Sequence, residues 1–284
     1  MPTRYNWRMN KTAKTPSIQD KCIFVASFPR SGTHLTIDLL RKQFKECQVK
    51  LSILESRHRS YLTLGHLSRR NPNYISQAKA LAILGRVEVP IIKTHETPGF
   101  REIGKENEYF VQQLSQKAIF FYVVRDVREV LTSLHCGLQS NSLEARCSFS
   151  KFIRQEREGQ SWPKRWANHV QMWTSQPFVE LVKYEEIIRN PAQTIEDWGK
   201  LLELEPKFEK PLLPSKCSPK NRWQDYWFRF TGKIESTAID SFFSHHKSSW
   251  KTLLDYQDRC FLHQEAGNVL IDLGYEVDNS WISE

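Results

Sequence analysis

Residues 21–36 constrain this chain more than any other stretch. Cys22–Ala26 is an unbroken apolar run, Ser27–Gly32 is a short loop holding Pro29 and Arg30, and the residues from Thr33 take up helical spacing. A short apolar run bounded by turn residues reads as a strand buried on both faces, which needs helices on each side of its sheet. A buried strand that runs through a tight basic loop into a helix start is also an anion cradle. Loop N–H groups can point at a phosphate, and the helix N-terminus adds positive potential. Ser31 and Thr33 bring hydroxyl donors, and Arg30 brings a fixed planar cation. The plain alternative is an ordinary strand–turn–helix in which Pro29 sets the turn.

Further strand–helix pairs follow. Residues 33–46 form the expected first helix, and Ile75–Leu84 carries a helical stretch. Val89–Lys93 is a second strand, Lys117–Val124 a third with helical spacing through Leu134 behind it. Phe178–Val182 is another strand, Pro191–Leu204 another helix, and Asp255–Leu273 a last helix ending at Gly274, a C-cap residue. The pattern predicts an α/β fold: a single P-loop-like domain with a central parallel sheet flanked by helices. Ligands of such sheets bind beyond the carboxyl ends of the strands. Residues 205–249 lack periodicity and read as a long irregular cover segment.

The chain has 284 residues, room for one large α/β domain or two small ones, and 39% hydrophobic residues supply a core. No apolar run approaches the ~20 residues of a membrane span. Residues 1–20 are polar and basic, without the apolar segment of a signal peptide, and read as a flexible basic arm before a domain over 21–284. A soluble cytoplasmic protein is the expectation. The six cysteines (22, 47, 136, 147, 217 and 260) form no C-x-x-C pair, which argues against a metal site and for reduced, mostly buried thiols. A net charge of +9 favours an anionic partner without selecting one.

Four other groups can carry chemistry. Arg125 ends a buried strand with Ser133 eight residues on, about two helical turns away; Arg125 can meet a phosphate or salt-bridge Asp126 or a neighbouring carboxylate. Lys93-Thr94-His95 closes a strand, and His95 is either a general base or a surface turn residue. Tyr184 can contact a purine or serve as a boundary aromatic. His245-His246-Lys247 can clamp a phosphate or form a solvated charge run. The loop at 27–34 departs from the strict P-loop G-x-x-x-x-G-K-S/T: Ser27 stands for the first Gly and Thr33 for the Lys. A plain ATP or GTP hydrolase is therefore disfavoured.

Together these motifs resemble the sulfotransferase family. Ser27-Phe-Pro-Arg-Ser-Gly-Thr33 resembles its phosphosulfate loop, usually Tyr-Pro-Lys-Ser-Gly-Thr. Tyr122-Val-Val-Arg125 with Ser133 resembles its 3′-phosphate motif, and Lys93-Thr-His95 its catalytic segment. Tyr184-Glu-Glu with Asn190-Pro191 resembles the segment near adenine, and Trp250-Lys251 with Leu273-Gly-Tyr275 the tail. The matches run in family order over roughly residues 20–276.

The resemblance implies 3′-phosphoadenosine 5′-phosphosulfate (PAPS) as donor, PAP as product, and in-line sulfuryl transfer to a hydroxyl or amine without a metal. It implies that Arg30, Ser31, Gly32, Thr33 and His34 hold the 5′-phosphosulfate, and that Arg125 and Ser133 hold the 3′-phosphate. Tyr184 would contact adenine, Lys247 would act as a clamp, His95 would take the acceptor proton, and Lys93 and Arg30 would support the sulfuryl and phosphate oxygens. The implied partner is a small-molecule acceptor, with neither nucleic acid nor membrane, and the oligomeric state stays open. Arg30 stands for the usual Lys, His34 for Thr and Leu35 for Trp, departures that point to a divergent bacterial small-molecule enzyme. A P-loop phosphotransferase (kinase) and a basic nucleic-acid binder are the other classes weighed; the second lacks any nucleic-acid motif.

Overall fold

Strand β1 (Cys22–Ser27) is buried along its whole length because it lies at the centre of a sheet covered on both faces. The computed structural model describes residues 21–48, 61–139, 145–208 and 250–283. Strands β2 (Leu62–Thr63), β3 (Ile91–Thr94), β4 (Ala118–Val124) and β7 (Val179–Lys183) complete a five-stranded sheet in the order β2-β3-β1-β4-β7, with every pairing parallel. Phe24 sits beside Ile92 on one side and Phe120 on the other. β5 (Glu156–Arg157) and β6 (Gln160–Ser161) form a separate antiparallel hairpin.

Successive strand residues face opposite sides, and the two cores follow that alternation. Phe24, Ala26, Phe120 and Tyr122 pack with α3 (Glu108–Ser115), α4 (Val127–Gln139), α6 (Trp162–Thr174) and α10 (Tyr256–Asp272). Ile23, Val25, Phe121 and Val123 pack with α1 (Thr33–Gln43) and α8 (Pro191–Leu202). The expected α/β class with helices on both faces is therefore present.

Element ends differ from the sequence reading for local reasons. The first helix stops at Gln43, not residue 46, because Phe44 turns extended (φ −110°, ψ 120°) and buries its ring. α8 stops at Leu202 because Glu203 adopts φ 51° and Leu204 N–H returns to the Gly199 carbonyl at 2.9 Å. Gly274 ends α10 as expected: at φ 70° it lets its own N–H reach the Ile271 carbonyl and Tyr275 N–H reach that of Leu270, each at 2.8 Å. Of the described cysteines, Cys22 and Cys47 are buried, with thiols pushed up to about 12 by burial. Cys136 is exposed and Cys147 and Cys260 are half-buried, so mostly buried thiols is the wrong description of this set. No helix among the described residues is long and apolar enough to cross a membrane. The arm at 1–20, most of the 205–249 segment and Lys247 with its neighbours lie outside the described residues.

Candidate active site

Because the sheet is parallel, the chain leaves β1, β3, β4 and β7 on the same edge. That places Phe28–Gly32, His95, Arg125 and Tyr184 at one rim. The loop after β1 is tight: Ser31 N–H bonds the Phe28 carbonyl at 3.2 Å, Arg30 has φ 73° and Gly32 has φ 107°. A left-handed arginine costs about 1–2 kcal/mol and persists only where its surroundings enforce it. Gly32 precedes α1 without a side-chain cap, and the first turn of α1 carries no acidic residue, which suits an anion there. Ser31 Oγ is fully buried and has no partner.

Arg30 reaches across to α4, where its Nε donates to Ser133 Oγ at 3.1 Å and its guanidinium lies against Gly137. The structure thus joins two residues that sequence assigned to different phosphates. Arg125 is nearly buried, its Nε has no partner, and its other end pairs with Glu129 at 3.2 Å. Asp126, one of the carboxylates the sequence offered, pairs with Arg128 and caps α4 by accepting Arg128 N–H at 2.8 Å.

Tyr184 lies between the two motifs. Its ring packs against Gly32 on one side and under the Arg125 guanidinium, 4.4 Å away, on the other. Glu185 beside it accepts Tyr275 O–H at 2.8 Å and Asp126 N–H at 3.3 Å, and burial raises its carboxyl pKa. A Cβ at position 32 would stand 2.5 Å from Tyr184 Cδ2 on a left-handed backbone. Gly32→Ala is therefore expected to destabilise the fold by roughly 2 kcal/mol or more. Thermal denaturation checks this, and an unshifted midpoint would show that Tyr184 and the loop yield freely.

His95 faces the same loop from β3. Its Nδ1 lies 2.8 Å from the Ser27 carbonyl, which can only accept, so Nδ1 carries the proton and Nε2 is the basic nitrogen. Ser27 Oγ and Thr33 Oγ1 pair at 2.5 Å, with the Ser27 hydroxyl 3.4 Å from His95 Nδ1. Burial first, then the Lys93 charge, lower the His95 pKa to about 4 against the raising effect of the Ser27 bond. Lys93, its own pKa lowered by burial, donates to His34 Nε2 at 3.3 Å, and His34 Nδ1 lies 3.4 Å from Tyr61 O–H.

Tyr122, Arg128 and Glu185 fall inside the motifs read from the sequence without a role of their own there, and His169 had no signal in that reading. For His169 the only trace is its place on the buried stripe Trp162, Trp166, His169, Trp173 of α6.

A parallel α/β sheet with a basic loop, an arginine-tipped neighbouring strand and a histidine at its carboxyl edge is a P-loop-like layout. The Sulfotransferase domain family matches residues 20–264, so this chain belongs to the sulfotransferase family. No curated protein is significantly similar to it. Similar solved structures include mouse sulfotransferase SULT7A1 complexed with PAP, 12% identical, covering 89% of this chain and 84% of that one, with a TM-score of 0.49. A retinol dehydratase with androsterone and PAP is 15% identical over 89% and 82%, with a TM-score of 0.43. A sulfotransferase from Alicyclobacillus acidocaldarius is 14% identical over 81% and 98%, with a TM-score of 0.42.

Proposed function

We propose that this chain transfers a sulfuryl group from PAPS to a hydroxyl or amine of a small-molecule acceptor, with His95 as general base. The observation that carries the reading is a pair of orphaned donors. Ser31 Oγ and Arg125 Nε are buried without a partner, one in each expected phosphate motif, at the ends of adjacent strands. Buried donors almost always have acceptors, and a ligand with two separate anionic groups satisfies both. The residues present therefore fit an adenosine bisphosphate-type donor.

Ser31, Thr33 and the amides around Gly32 hold the 5′-phosphosulfate in this reading, with Arg30, Lys93 and His34 supplying charge and donors. Arg125 and Ser133 hold the 3′-phosphate, and Tyr184 lies where adenine would be met. The donor, when bound, supplies a sulfuryl group on a phosphate leaving group. Transfer of this kind depends on positioning and charge stabilisation more than on covalent help. Arg30 and the loop amides stabilise charge on the departing phosphate, and His95 Nε2 receives the acceptor proton. We read residues 21–284 as one domain, with 1–20 as an arm, acting in the cytoplasm.

Ligand-dependent thermal unfolding tests this. PAP at about 100 times its Kd adds ~2.7 kcal/mol, a rise of several degrees. ATP with Mg²⁺ should do much less. Stabilisation by ATP–Mg²⁺ and none by PAP would transfer the protein to the kinase class. Arg125→Ala should weaken PAP about 10- to 100-fold, because a charge-assisted bond is lost. Equal affinity in that variant would remove Arg125 from the phosphate site.

A further inference from the structure

His169 lies in the middle of α6, buried, and takes no part in the chemistry above. Its two ring nitrogens have different partners. Nε2 is 3.2 Å from the His95 carbonyl, which can only accept, so Nε2 carries the proton. Nδ1, 2.9 Å from Tyr122 O–H, accepts from that phenol. Tyr122 is fully buried in β4 and pairs in register with Ala26 of β1, two residues before Phe28, the first residue of the loop after β1. His95 in turn donates from Nδ1 to the carbonyl of Ser27, the residue before Phe28.

These contacts form a hydrogen-bonded chain from Tyr122 through His169 and His95 to Ser27. α6 takes a second hold one residue on, where Trp173 Nε1–H donates to the Glu96 carbonyl at 3.0 Å. Trp173 also stacks on Tyr122 with ring centres 5.7 Å apart, and the Phe28 ring stands edge-on to His169 at 5.6 Å. In the neutral imidazole, the bond from Nε2–H to the His95 carbonyl selects one tautomer of His169 and leaves Nδ1 to accept from Tyr122 O–H.

We propose that His169, relayed through Tyr122, is a positioning residue that fixes the His95 turn relative to the anion-binding loop after β1. The assignment of His95 and the loop to base and donor site rests on the function proposed above; the clamp itself rests on the hydrogen bonds. β1 and β3 already pair in the sheet, and the bond from His169 to the His95 carbonyl ties α6 to the turn that leaves β3. A histidine held by one carbonyl alone could swing on its turn. Here its backbone is held by His169 while its ring is held by Ser27. Misplacement of a reacting group by about 1 Å can lower a rate on the order of 10²-fold, which makes a buried residue without substrate contact worth testing.

The test compares His169→Gln, whose amide can still donate near the Nε2 position, with His169→Phe, which cannot. NMR exchange of the His95 Nδ1 proton reads the clamp without any need for turnover. That proton should exchange slowly in the wild type and in His169→Gln, and at least tenfold faster in His169→Phe. PAP titration in parallel should give a Kd within about threefold across the three proteins, because His169 does not line the phosphate motifs. Equal exchange in all three proteins, or equal acceleration by Gln and Phe, overturns the positioning role. Tyr122→Phe deletes one oxygen and serves where His169→Phe does not fold; it too should accelerate exchange, and unchanged exchange there counts against the relay through Tyr122. A wild-type protein that fails to bind PAP refutes the functional reading and leaves the exchange result standing by itself.

Discussion

His95→Ala is expected to lower turnover by about 10²- to 10⁴-fold while PAP affinity stays within about threefold. General-base contributions fall in that range, and a variant that lowers kcat without weakening ligand binding has lost an interaction of the transition state. The structure gives His95 the form a base requires. Its Nδ1 proton is committed to the Ser27 carbonyl, which leaves Nε2 to accept. With a pKa lowered to about 4, mainly by burial and next by Lys93, it is neutral through the whole neutral range in the free protein. An acceptor found by screening phenols, alcohols, amines and guanidinium compounds provides the assay. More than a tenth of the wild-type rate in His95→Ala would move the base elsewhere, with His34 next in line through its contact with Lys93.

The same depressed pKa sets two pH dependences. The profile of kcat/KM reports the free protein and that of kcat the bound state. The acid limb assigned to His95 should therefore lie near pH 4 in kcat/KM and higher in kcat, because an anionic donor beside the ring favours its protonated form. Stability follows by linkage. The unfolded chain takes up a proton on this histidine near its ordinary pKa of about 6.5, whereas the folded protein does so only near 4. The contribution is fully present above pH 6.5 and is lost as pH falls toward 4. Wild type should lose stability over that window more steeply than His95→Ala, and parallel curves would mean that His95 is not held neutral.

What was legible in the sequence was local. β1 and β4 are covered on both faces, so they appear as unbroken apolar runs, and Gly32 and Gly274 mark places where the backbone turns left-handed. His95 and Arg125 could be found because each directly follows a strand, and Ser31 because it lies in the tight loop between β1 and α1. β2 is only Leu62–Thr63, too short for any periodicity to register. Side-chain partners were not legible, because folding chooses them across distance. Arg125 was offered Asp126 or a neighbouring carboxylate, and the sequence could not say that Glu129, one helical turn on, would be the one. His169 meets a carbonyl 74 residues away, and nothing in a stretch of α6 announces that.

Arg128→Met is expected to lower stability by about 3–5 kcal/mol, the range for removing one partner of a buried ion pair. Arg128 is 3% exposed. It forks onto Asp126 with bonds of 2.9 and 2.6 Å, and reaches Glu276 near the end of the described chain. Burial works against its charge, and the two carboxylates outweigh that effect. The rings of Trp250 and Trp281 cover the guanidinium at 4.2 and 4.8 Å. A methionine fills similar space but leaves two carboxylates without a cation, so the loss is that of uncompensated charge. At roughly 2–4 °C per kcal/mol for a chain of this size, the midpoint should fall by about 6–20 °C. Arg128→Met with Asp126→Asn should recover part of the loss, because one orphaned charge is gone. Functional consequences follow from place: Asp126 adjoins Arg125, and its amide is held by Glu185, which also binds Tyr275. Loss of Arg128 therefore loosens the turn that carries the proposed 3′-phosphate arginine, and PAP affinity should fall along with stability. A midpoint lowered by less than about 2 °C would show that the two tryptophans and local packing hold the C-terminal segment without the ion pairs.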